Sequence, residues 1–593
     1  MDERIRSLSD HIDALNDAGV RRTTFYPCVA ESLARTADEP TTIRRAKAFA
    51  HLLDEAAQVV LPHELLTGSI LGVWPLADDL PDYAECRQEA VDALEAYRAR
   101  KRQRADGNGG TRWALMARDH YDANVTYHRL QDLIAEMQQR FADAEDLSDA
   151  EIARELERHF QFDYGEEAHE LMRELPWVVA NHLDLNYQKV VARGLGDIRR
   201  EILERRRNAE GPEQETFYTS TLIAVEAAIR FVERYAETLG EAAAAADTAP
   251  DRAAELRGMA SVCRRVAERR PETFREALQL MWLVHIMANI GGGSALSFAR
   301  FDQYMYPFYR KDLAEGVMTR EEAKALVGCM WLKVNEPHMR TVQSLCLAGT
   351  RPDGADGANE LTELCLEVCA ELGRPYPNTS VRLSRASPDW LLDMVVGAIK
   401  RGFGQPMVLN DETWIPNFER LGYPIEDARD YYNMGCVEMM IMGKCPNWAG
   451  CGGVDFPACI ELVFRNGHAN MAGQTGPRTG TLESLQTFEQ FMDAYLAQLR
   501  HRVGLARANA EQMHESAIGR HFDPSASALI DDCLEKGLDL FQGGSRHEPI
   551  RAIGGYGLGT AADSLSAIRK FVYGDGLLTL QEMQEALEAD YAG

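Results

Sequence analysis

The spacing of the apolar residues changes near Phe274, and this change limits the folds that the chain can adopt. Before Phe274, apolar residues in segments such as 41–60 and 220–239 recur with the period of an α-helix. The Ala-rich run that begins at Glu241 is typical of a break between two helices. Residues 1–275 are therefore predicted to be mostly helical.

After this point, short apolar runs alternate with amphipathic segments. The run 278–290 is apolar on every side, which predicts a buried helix. The sequence then predicts two buried strands and two amphipathic helices, at 379–383 and 406–410, and at 388–402 and 484–503. Alternating strands and helices favour an α/β layer or barrel. Since no repeat or low-complexity linker divides the chain, we expect one domain over 1–593 with its α/β core in 276–593.

The composition excludes several classes of function. The chain has 593 residues and a net charge of −28, so its surface should repel nucleic acid and anionic membranes. It has no apolar run long enough for a membrane span, and its N-terminus, charged from Asp2, lacks the apolar core of a secretion signal. The 12 cysteines have no paired spacing, so we expect reduced thiols and a cytoplasmic location.

The segment 427–456 is crowded with glycine, cysteine and methionine. Its apolar centre lies between Gly435 and Gly443, which suits a tight, buried loop that presents a side chain to a cavity. The side chains on offer are Cys436 and Glu438. In an extended backbone, positions i and i+2 point the same way, so the thiol and the carboxyl are predicted to face one pocket.

Each of these residues also has a structural interpretation. A single buried cysteine more often acts as a small hydrophobe than as a catalytic group. A carboxyl among apolar neighbours is harder to explain structurally, because its burial is costly unless it is paired or neutral. Cys445, Cys451 and Cys459 lack the short spacing of a metal site, so no metal is predicted.

The sequence Gly-Cys-Val-Glu at 435–438, preceded by Asn-Asp at 410–411, resembles the cysteine loop of glycyl radical enzymes. It is most similar to the Cys-x-Glu subgroup, which includes diol dehydratases, choline and isethionate lyases, hydroxyproline dehydratase and arylacetate decarboxylases. Ala299 stands where a glycine is usual in the family. Six further segments resemble the family in the same order along the chain: 63–69, 181–195, 299–313, 330–336, 531–544 and 562–573.

The resemblance implies a ten-stranded α/β barrel of the pyruvate formate-lyase and ribonucleotide reductase type, made of two antiparallel five-stranded halves. The cysteine loop, 431–456, would lie inside the barrel. The resemblance also implies that a thiyl radical on Cys436 removes a hydrogen atom from the substrate and that Glu438 takes a hydroxyl proton. By their places in family-like segments, His182 and Ser297 are predicted to bind the substrate. His182 would orient it or protonate the leaving group.

Two further residues in a family-like segment have a structural expectation. Arg300 and Asp302 lie in the stretch 299–313 and are expected to form a structural pair.

The sequence departs from the family at its C-terminal end. The family stores its radical on a glycine in an Arg-Val-x-Gly-Tyr motif, which lies well beyond the segment at 562–565 here. No such motif follows before Gly593, and we interpret residues 551–556 as a Gly-rich turn. We therefore expect that the glycyl radical domain is absent, that the barrel is incomplete at the C-terminus, and that the chain holds no radical cofactor of its own.

Three interpretations stay open. A partner chain supplies a glycyl radical, a partner subunit supplies adenosylcobalamin, or the chain is an inactive paralogue or the product of a truncated gene. The leading hypothesis is a lyase or dehydratase that eliminates water or another leaving group from a small 1,2-diol or similar alcohol, as part of a homo- or hetero-oligomer. The alternatives are a catalytically inactive barrel that serves as a binding or scaffold protein, and a cysteine-dependent lyase without radicals.

Overall fold

The computed structural model describes residues 3–17, 26–73, 182, 185–291, 295–337, 339, 342–445, 447–448, 453–469 and 473–589. The described residues up to Asn447 and those of 518–550 form one compact unit, and those of 448–517 and 551–589 form a second. Among the described helices, none combines the length and the apolar character that crossing a membrane requires. The single barrel domain over 1–593 stays a prediction.

The described residues before the sheet are mainly helical. The helix Phe274–Ile290 is buried on all sides, as its sequence predicts, and it begins at Thr273, whose hydroxyl accepts a hydrogen bond from the amide of Glu276. The break predicted after Glu241 lies between Ala244 and Pro250. The helices of this part are α1 Glu3–Asp17, α2 Tyr26–Arg35, α3 Thr41–Glu55, α4 Tyr187–Arg193, α5 Leu195–Arg207, α6 Pro212–Ala244, α7 Pro250–Val266 and α8 Phe274–Ile290, with a 3₁₀ turn at Ile70–Val73.

A parallel sheet of four strands follows, in the order β1-β2-β3-β4. The strands are β1 Ser297–Arg300, β2 Ser344–Ala348, β3 Asn378–Leu383 and β4 Met407–Asn410. The helices between them are α9 Phe301–Ala314, α10 Arg320–Lys333, α11 Glu360–Leu372 and α12 Asp389–Ile399. Strands alternate with helices as the sequence predicts, which places this part of the chain in the α/β class. The ten-stranded count stays a prediction, since the described part of this sheet has four strands.

The last strand of the sheet differs from its prediction in one respect. Both predicted strands exist, but the prediction that 406–410 is a buried strand is wrong. Val408 is 45% exposed. The reason is that β4 is the last of the four described strands of the sheet, a position that its apolar run does not reveal.

An antiparallel hairpin follows the sheet in the first unit. Its strands are β5 Tyr431–Met434 and β6 Glu438–Ile441, and their register pairs Asn433 with Met439 and Met434 with Glu438. The other helices of this unit are α13 Asp411–Arg420, α14 Ile425–Ala428, Pro524–Ser527 and Cys533–Lys536, with a 3₁₀ turn at Leu540–Gln542. Two-residue strands at Asn447–Trp448 and Ile550–Arg551 lie at the limits of the two units.

The second unit has its own apolar core, which includes the fully buried Phe491 and Val463. Its helices are Phe456–Phe464, Phe488–Ala517, Leu558–Ala567 and Leu580–Glu588, with a 3₁₀ turn at Leu482–Ser484, a π-helical turn at Ile568–Gly574 and a strand pair, His468–Ala469 and Gly473–Gln474. Residues Gly554–Tyr556 pair in parallel with Gly453–Asp455. The prediction that 551–556 is a Gly-rich turn is therefore wrong. The strand that pairs with this segment lies about a hundred positions earlier, and a prediction from local turn residues does not include so distant a partner.

Candidate active site

Cys436 lies at the tip of the β5–β6 hairpin. Gly435, Cys436 and Val437 connect the two strands, and both Cys436 and Val437 are exposed. The predicted tight, Gly-bounded loop is present, but the extended backbone expected through Cys436 and Glu438 is not, since Glu438 begins the second strand. The thiol is thus presented by a turn, with the carboxyl at the first position after it.

His182 packs against this turn. Gly435 has a φ of +57°, which favours glycine, and a Cβ built on it would lie 2.3 Å from Cδ2 and 2.5 Å from Nε2 of His182. Because no other residue fits this gap without moving the imidazole, the glycine allows the histidine to lie beside the cysteine turn. His182 and Gly435 are about 250 positions apart in the sequence, yet they meet at the tip of the hairpin.

The same histidine faces Glu438. Nε2 of His182 lies 3.5 Å from Oε2 of Glu438, and the two side chains are 13% and 19% exposed. Burial lowers the pKa of His182, and the negative charge of Glu438 opposes this change. Both ring nitrogens of His182 are buried, and within the described residues neither has a hydrogen-bond partner.

The thiol and the carboxyl influence each other. Burial raises the pKa of the Cys436 thiol, and the charge of Glu438 raises it further. The thiol is therefore held in its protonated form at neutral pH, which suits hydrogen-atom chemistry better than nucleophilic attack. Glu438 also accepts a hydrogen bond of 3.1 Å from the backbone amide of Val437, which fixes its carboxylate beside the turn.

Ser297 lies beneath the hairpin, where it is 2% exposed. Its hydroxyl oxygen is 3.1 Å from the carbonyl of Asn433 and 3.3 Å from that of Ser344, and it accepts a hydrogen bond of 3.0 Å from the amide of Ala299. The hydroxyl uses one of its two acceptor sites in these contacts. The structure thus brings Cys436, Glu438 and His182 together at the tip, with Ser297 at the base of the hairpin.

A buried arginine, missed by the sequence analysis, holds the start of the hairpin. Arg382 forms two hydrogen bonds with Asp411, of 2.8 and 3.0 Å, and its guanidinium lies 3.9 Å from the ring centre of Tyr431. It also donates to the carbonyls of Arg429 and Tyr431. The Asn-Asp pair at 410–411, which resembles the family, therefore supplies the carboxylate that orients this arginine. An arginine inside a predicted strand was the available signal.

A second arginine differs from its prediction. Arg300 pairs with Asp430 at 3.1 Å, and Asp302 instead accepts a hydrogen bond of 2.8 Å from the amide of Ala348. The predicted pair between Arg300 and Asp302 is therefore wrong, because the side chain of Arg300 reaches towards the hairpin. Ala299, next to it, has a φ of +49°, a backbone conformation that favours glycine.

The three cysteines that follow the hairpin, Cys445, Cys451 and Cys459, were predicted not to bind a metal. Cys445 and Cys459 are fully buried, as expected of structural cysteines, and Cys451 lies outside the described residues. Over the described ranges, no group of three or more His, Cys, Asp or Glu side chains is placed to hold a metal ion.

The comparison with known families decides the relationship of the chain. All of it, residues 1–593, matches the family described as pyruvate formate lyase-like. The chain belongs to this family. The predicted resemblance, made on the cysteine loop and six further segments, is thereby confirmed.

This pyruvate formate lyase-like protein is similar to the isethionate sulfite-lyase of Nitratidesulfovibrio vulgaris, at 34% identity over 442 residues. The match covers 69% of this chain and 52% of the relative. Among solved structures it is similar to a B12-independent glycerol dehydratase from Clostridium butyricum, with a TM-score of 0.75 and 27% identity. It is also similar to a glycyl radical enzyme from Archaeoglobus fulgidus, with a TM-score of 0.73 and 25% identity.

The comparisons also show how much of each relative the chain spans, and they bear on the adenosylcobalamin alternative. The chain spans about half the length of the relative from N. vulgaris. It covers 74% of each of the two solved structures, and each of these matches extends over the whole of this chain. The adenosylcobalamin alternative finds no support, since the glycerol dehydratase is described as B12-independent.

Proposed function

We propose that this pyruvate formate lyase-like protein carries the reacting groups of a radical lyase or dehydratase. Its reaction would eliminate water or another leaving group from a small 1,2-diol or similarly substituted alcohol. The observation that supports the proposal most is the cluster at the hairpin tip, where Cys436, Glu438 and His182 come together. The isethionate sulfite-lyase and the glycerol dehydratase to which the chain is similar support the class of reaction.

The first step would occur at Cys436. The only chemistry required of the initiator would be the removal of the hydrogen atom from the thiol. The thiyl radical of Cys436 then takes a hydrogen atom from the substrate carbon that bears the hydroxyl, so that an S–H bond forms as a C–H bond breaks. The exposed position of Cys436 on a short turn supports this role, because the sulfur has to contact both the initiator and the substrate.

The second step would occur at Glu438. Its carboxylate takes the proton of the substrate hydroxyl, which makes the carbon radical electron-rich and drives the leaving group from the neighbouring carbon. The proton can pass through His182, whose Nε2 lies 3.5 Å from the carboxylate, to the departing hydroxide or anion. The product radical then recovers the hydrogen atom from Cys436. The thiyl radical left on Cys436 then begins another turnover or takes its hydrogen atom back from the initiator, so the overall reaction is redox-neutral.

Substrate orientation is assigned to His182 and Ser297. The lowered pKa of His182 keeps its imidazole neutral at pH 7, so it offers one donor and one acceptor to a hydroxylated substrate. Ser297, with one open acceptor site, would receive a hydrogen bond from a substrate hydroxyl. Both functions suit a molecule with adjacent hydroxyl or similar polar groups better than an apolar one.

The radical initiator is proposed to be a glycyl radical on a second polypeptide. The solved glycyl radical enzyme from A. fulgidus and the B12-independent glycerol dehydratase both favour a glycyl radical over adenosylcobalamin. A cytoplasmic homo- or hetero-oligomer that includes this second polypeptide would be the complete enzyme.

Electron paramagnetic resonance of the chain combined with a glycyl radical polypeptide, with and without candidate diols, tests this proposal. We expect a glycyl signal that persists while product accumulates in excess over the radical, and no product when Glu438→Gln replaces the wild type. Binding of diols without product from the wild-type complex would contradict the proposal and support the scaffold alternative. Product formation without any organic radical would support the cysteine-dependent lyase.

A further inference from the structure

The base of the cysteine hairpin is held by three serine hydroxyls that meet at one residue, Asn433. Ser344 donates a hydrogen bond of 2.9 Å to the backbone carbonyl of Asn433, and Ser297 lies 3.1 Å from the same oxygen. Ser380 donates to the side-chain carbonyl, Oδ1. Asn433 and the three serines are almost completely buried, with at most 2% exposure.

This meeting point depends on the parallel sheet. The three serines come from β1, β2 and β3, which are neighbours in the sheet, and Ser297 and Ser344 are direct partners in the register. Because side chains alternate between the two faces of a strand, one hydroxyl from each strand reaches the same face. Asn433 lies against that face and accepts hydrogen bonds from all three strands, so three strands of the sheet hold the hairpin at this one residue, in addition to the contact of Arg382 with Tyr431.

The position of Asn433 in the hairpin connects this attachment to the site. Asn433 pairs with Met439, the residue after Glu438, and it precedes Cys436 by one strand residue and the glycine of the turn. Fixing Asn433 therefore fixes both strands at the points where they enter the turn. Both carbonyl oxygens of Asn433 accept hydrogen bonds here, whereas its Nδ2 is buried without a partner among the described residues. Moving the hairpin would leave the two oxygens unpaired as well, and this cost favours a single position of the hairpin.

We propose that Asn433 is a positioning residue for the cysteine turn, and that Ser344 and Ser380 act through it. The proposal rests on the proposed function only in naming Cys436 and Glu438 as the groups that are positioned. Ser297 shares the attachment. Ser344 donates to the backbone of Asn433, and Ser380, besides its bond to the side chain of Asn433, lies 3.5 Å from the carbonyl of Leu345 in the neighbouring strand.

Hydrogen–deuterium exchange of the chain by itself tests the attachment. Ser344→Ala and Ser380→Ala should each accelerate exchange over residues 431–441 about fivefold, the effect of one lost neutral hydrogen bond on local opening. The matched control is Ser220→Ala. This serine is also fully buried, but its hydroxyl donates to Phe217 within α6, so its loss should leave exchange over 431–441 unchanged.

A second measurement separates positioning from a general loss of stability. The rate of Cys436 alkylation by iodoacetamide against pH reports the thiol pKa, which burial and Glu438 raise. Loosening the hairpin should shift this midpoint downwards in Ser344→Ala and Ser380→Ala and leave it unchanged in Ser220→Ala. Neither readout needs an initiator or a substrate, so the result is independent of whether the chain is a radical lyase.

Two outcomes would overturn the proposal. One is wild-type exchange over 431–441 together with a wild-type alkylation midpoint in both alanine variants. The other comes from a second pair of variants. If the alanine variants do not fold, Ser380→Thr and Ser380→Cys replace them. Threonine keeps the hydroxyl and should preserve the midpoint, while cysteine should lower it, and equal midpoints in these two variants would contradict the proposal.

Discussion

The imidazole of His182 occupies the space that a side chain at Gly435 would need, since a Cβ built there would lie 2.3 Å from Cδ2 of the histidine. Gly435 also has a φ of +57°, a left-handed conformation that begins the turn between β5 and β6. Two properties of one residue, its backbone conformation and its missing side chain, thus place a histidine beside Cys436 and Glu438. The contact accounts for the glycine before the cysteine in physical terms.

Gly435→Ala should disrupt this contact. The left-handed backbone costs an alanine about 1 kcal/mol, and the clash with His182 adds a further loss. Gly316→Ala is the matched control, because Gly316 has a φ of +67° with no atom within 4 Å of the built Cβ. Urea unfolding should show the larger loss for Gly435→Ala. Equal losses in the two variants would mean that His182 does not occupy this place.

Arg382→Lys should destabilise the protein strongly. Lysine cannot form both hydrogen bonds to Asp411 or stack over Tyr431, so the buried carboxylate loses part of its partner. We expect a loss of about 3 kcal/mol in the free energy of unfolding. Arg230→Lys provides the comparison, since Arg230 forms a similar two-bond pair with Asp54 at the surface and should cost about 1 kcal/mol or less. A mild effect of Arg382→Lys would contradict the role of this arginine at the base of the hairpin.

Lys333 forms an ion pair of 2.6 Å with Glu64 and one of 2.7 Å with Glu336, with all three side chains fully buried. This cluster joins two segments, 63–69 and 330–336, that resemble the family. Lys333→Met would leave two buried carboxylates without their cation, so we expect a loss of about 3–5 kcal/mol at neutral pH. Lys311→Met, at the surface, should change the stability by less than about 1 kcal/mol.

The loss in Lys333→Met should depend on pH. Burial raises the pKa of Glu64 in the folded protein above its ordinary value, and Lys333 opposes this increase. Removing the lysine raises the folded pKa further, so the folded state binds protons that the unfolded state releases. The stability of the variant relative to wild type should therefore recover as the pH falls towards the ordinary pKa of glutamate. A loss that is constant between pH 5 and pH 8 would contradict this account of the cluster.

The thiol of Cys436 should become more acidic when its carboxylate neighbour is neutralised. Burial raises the pKa of Cys436 first, and the charge of Glu438 raises it in addition. Glu438→Gln removes the second cause and keeps the first, so the midpoint of the alkylation rate should move to lower pH but stay above that of a free thiol. Glu419→Gln, a neutralised carboxylate on the exposed side of α13, is the control. An unchanged midpoint in Glu438→Gln would show that the charge of Glu438 does not act on the thiol of Cys436.

Local patterns predicted the elements that local forces decide. The helix Phe274–Ile290 and the strand Asn378–Leu383 lie where the apolar spacing predicts them. A helix or strand that buries one or more faces needs apolar residues at its own period, so this period is visible in the sequence. The pair Cys436 and Glu438 was also predicted in this way, since an unusual acid among apolar residues is visible without a structure.

The parts that were missed depend on residues far apart in the chain. Asn433 is an ordinary residue of a short strand until Ser344 and Ser380 are brought to it by two other strands. The exposure of Val408 follows from the place of β4 at the end of the described sheet, and the strand at Gly554–Tyr556 follows from a partner segment. Sequence order does not specify these neighbours, so single-residue patterns carry no sign of them.

The transfer of a hydrogen atom through Cys436 is the central claim, and isotope transfer tests it most directly. The complete complex is given a diol that carries deuterium on the carbon to be attacked, and the product is examined by mass spectrometry. We predict that the substrate's own deuterium appears on the neighbouring carbon of the product, and that Cys436→Ser, folded as the wild type, forms no product. Product from Cys436→Ser with the deuterium still in its original place would contradict the account.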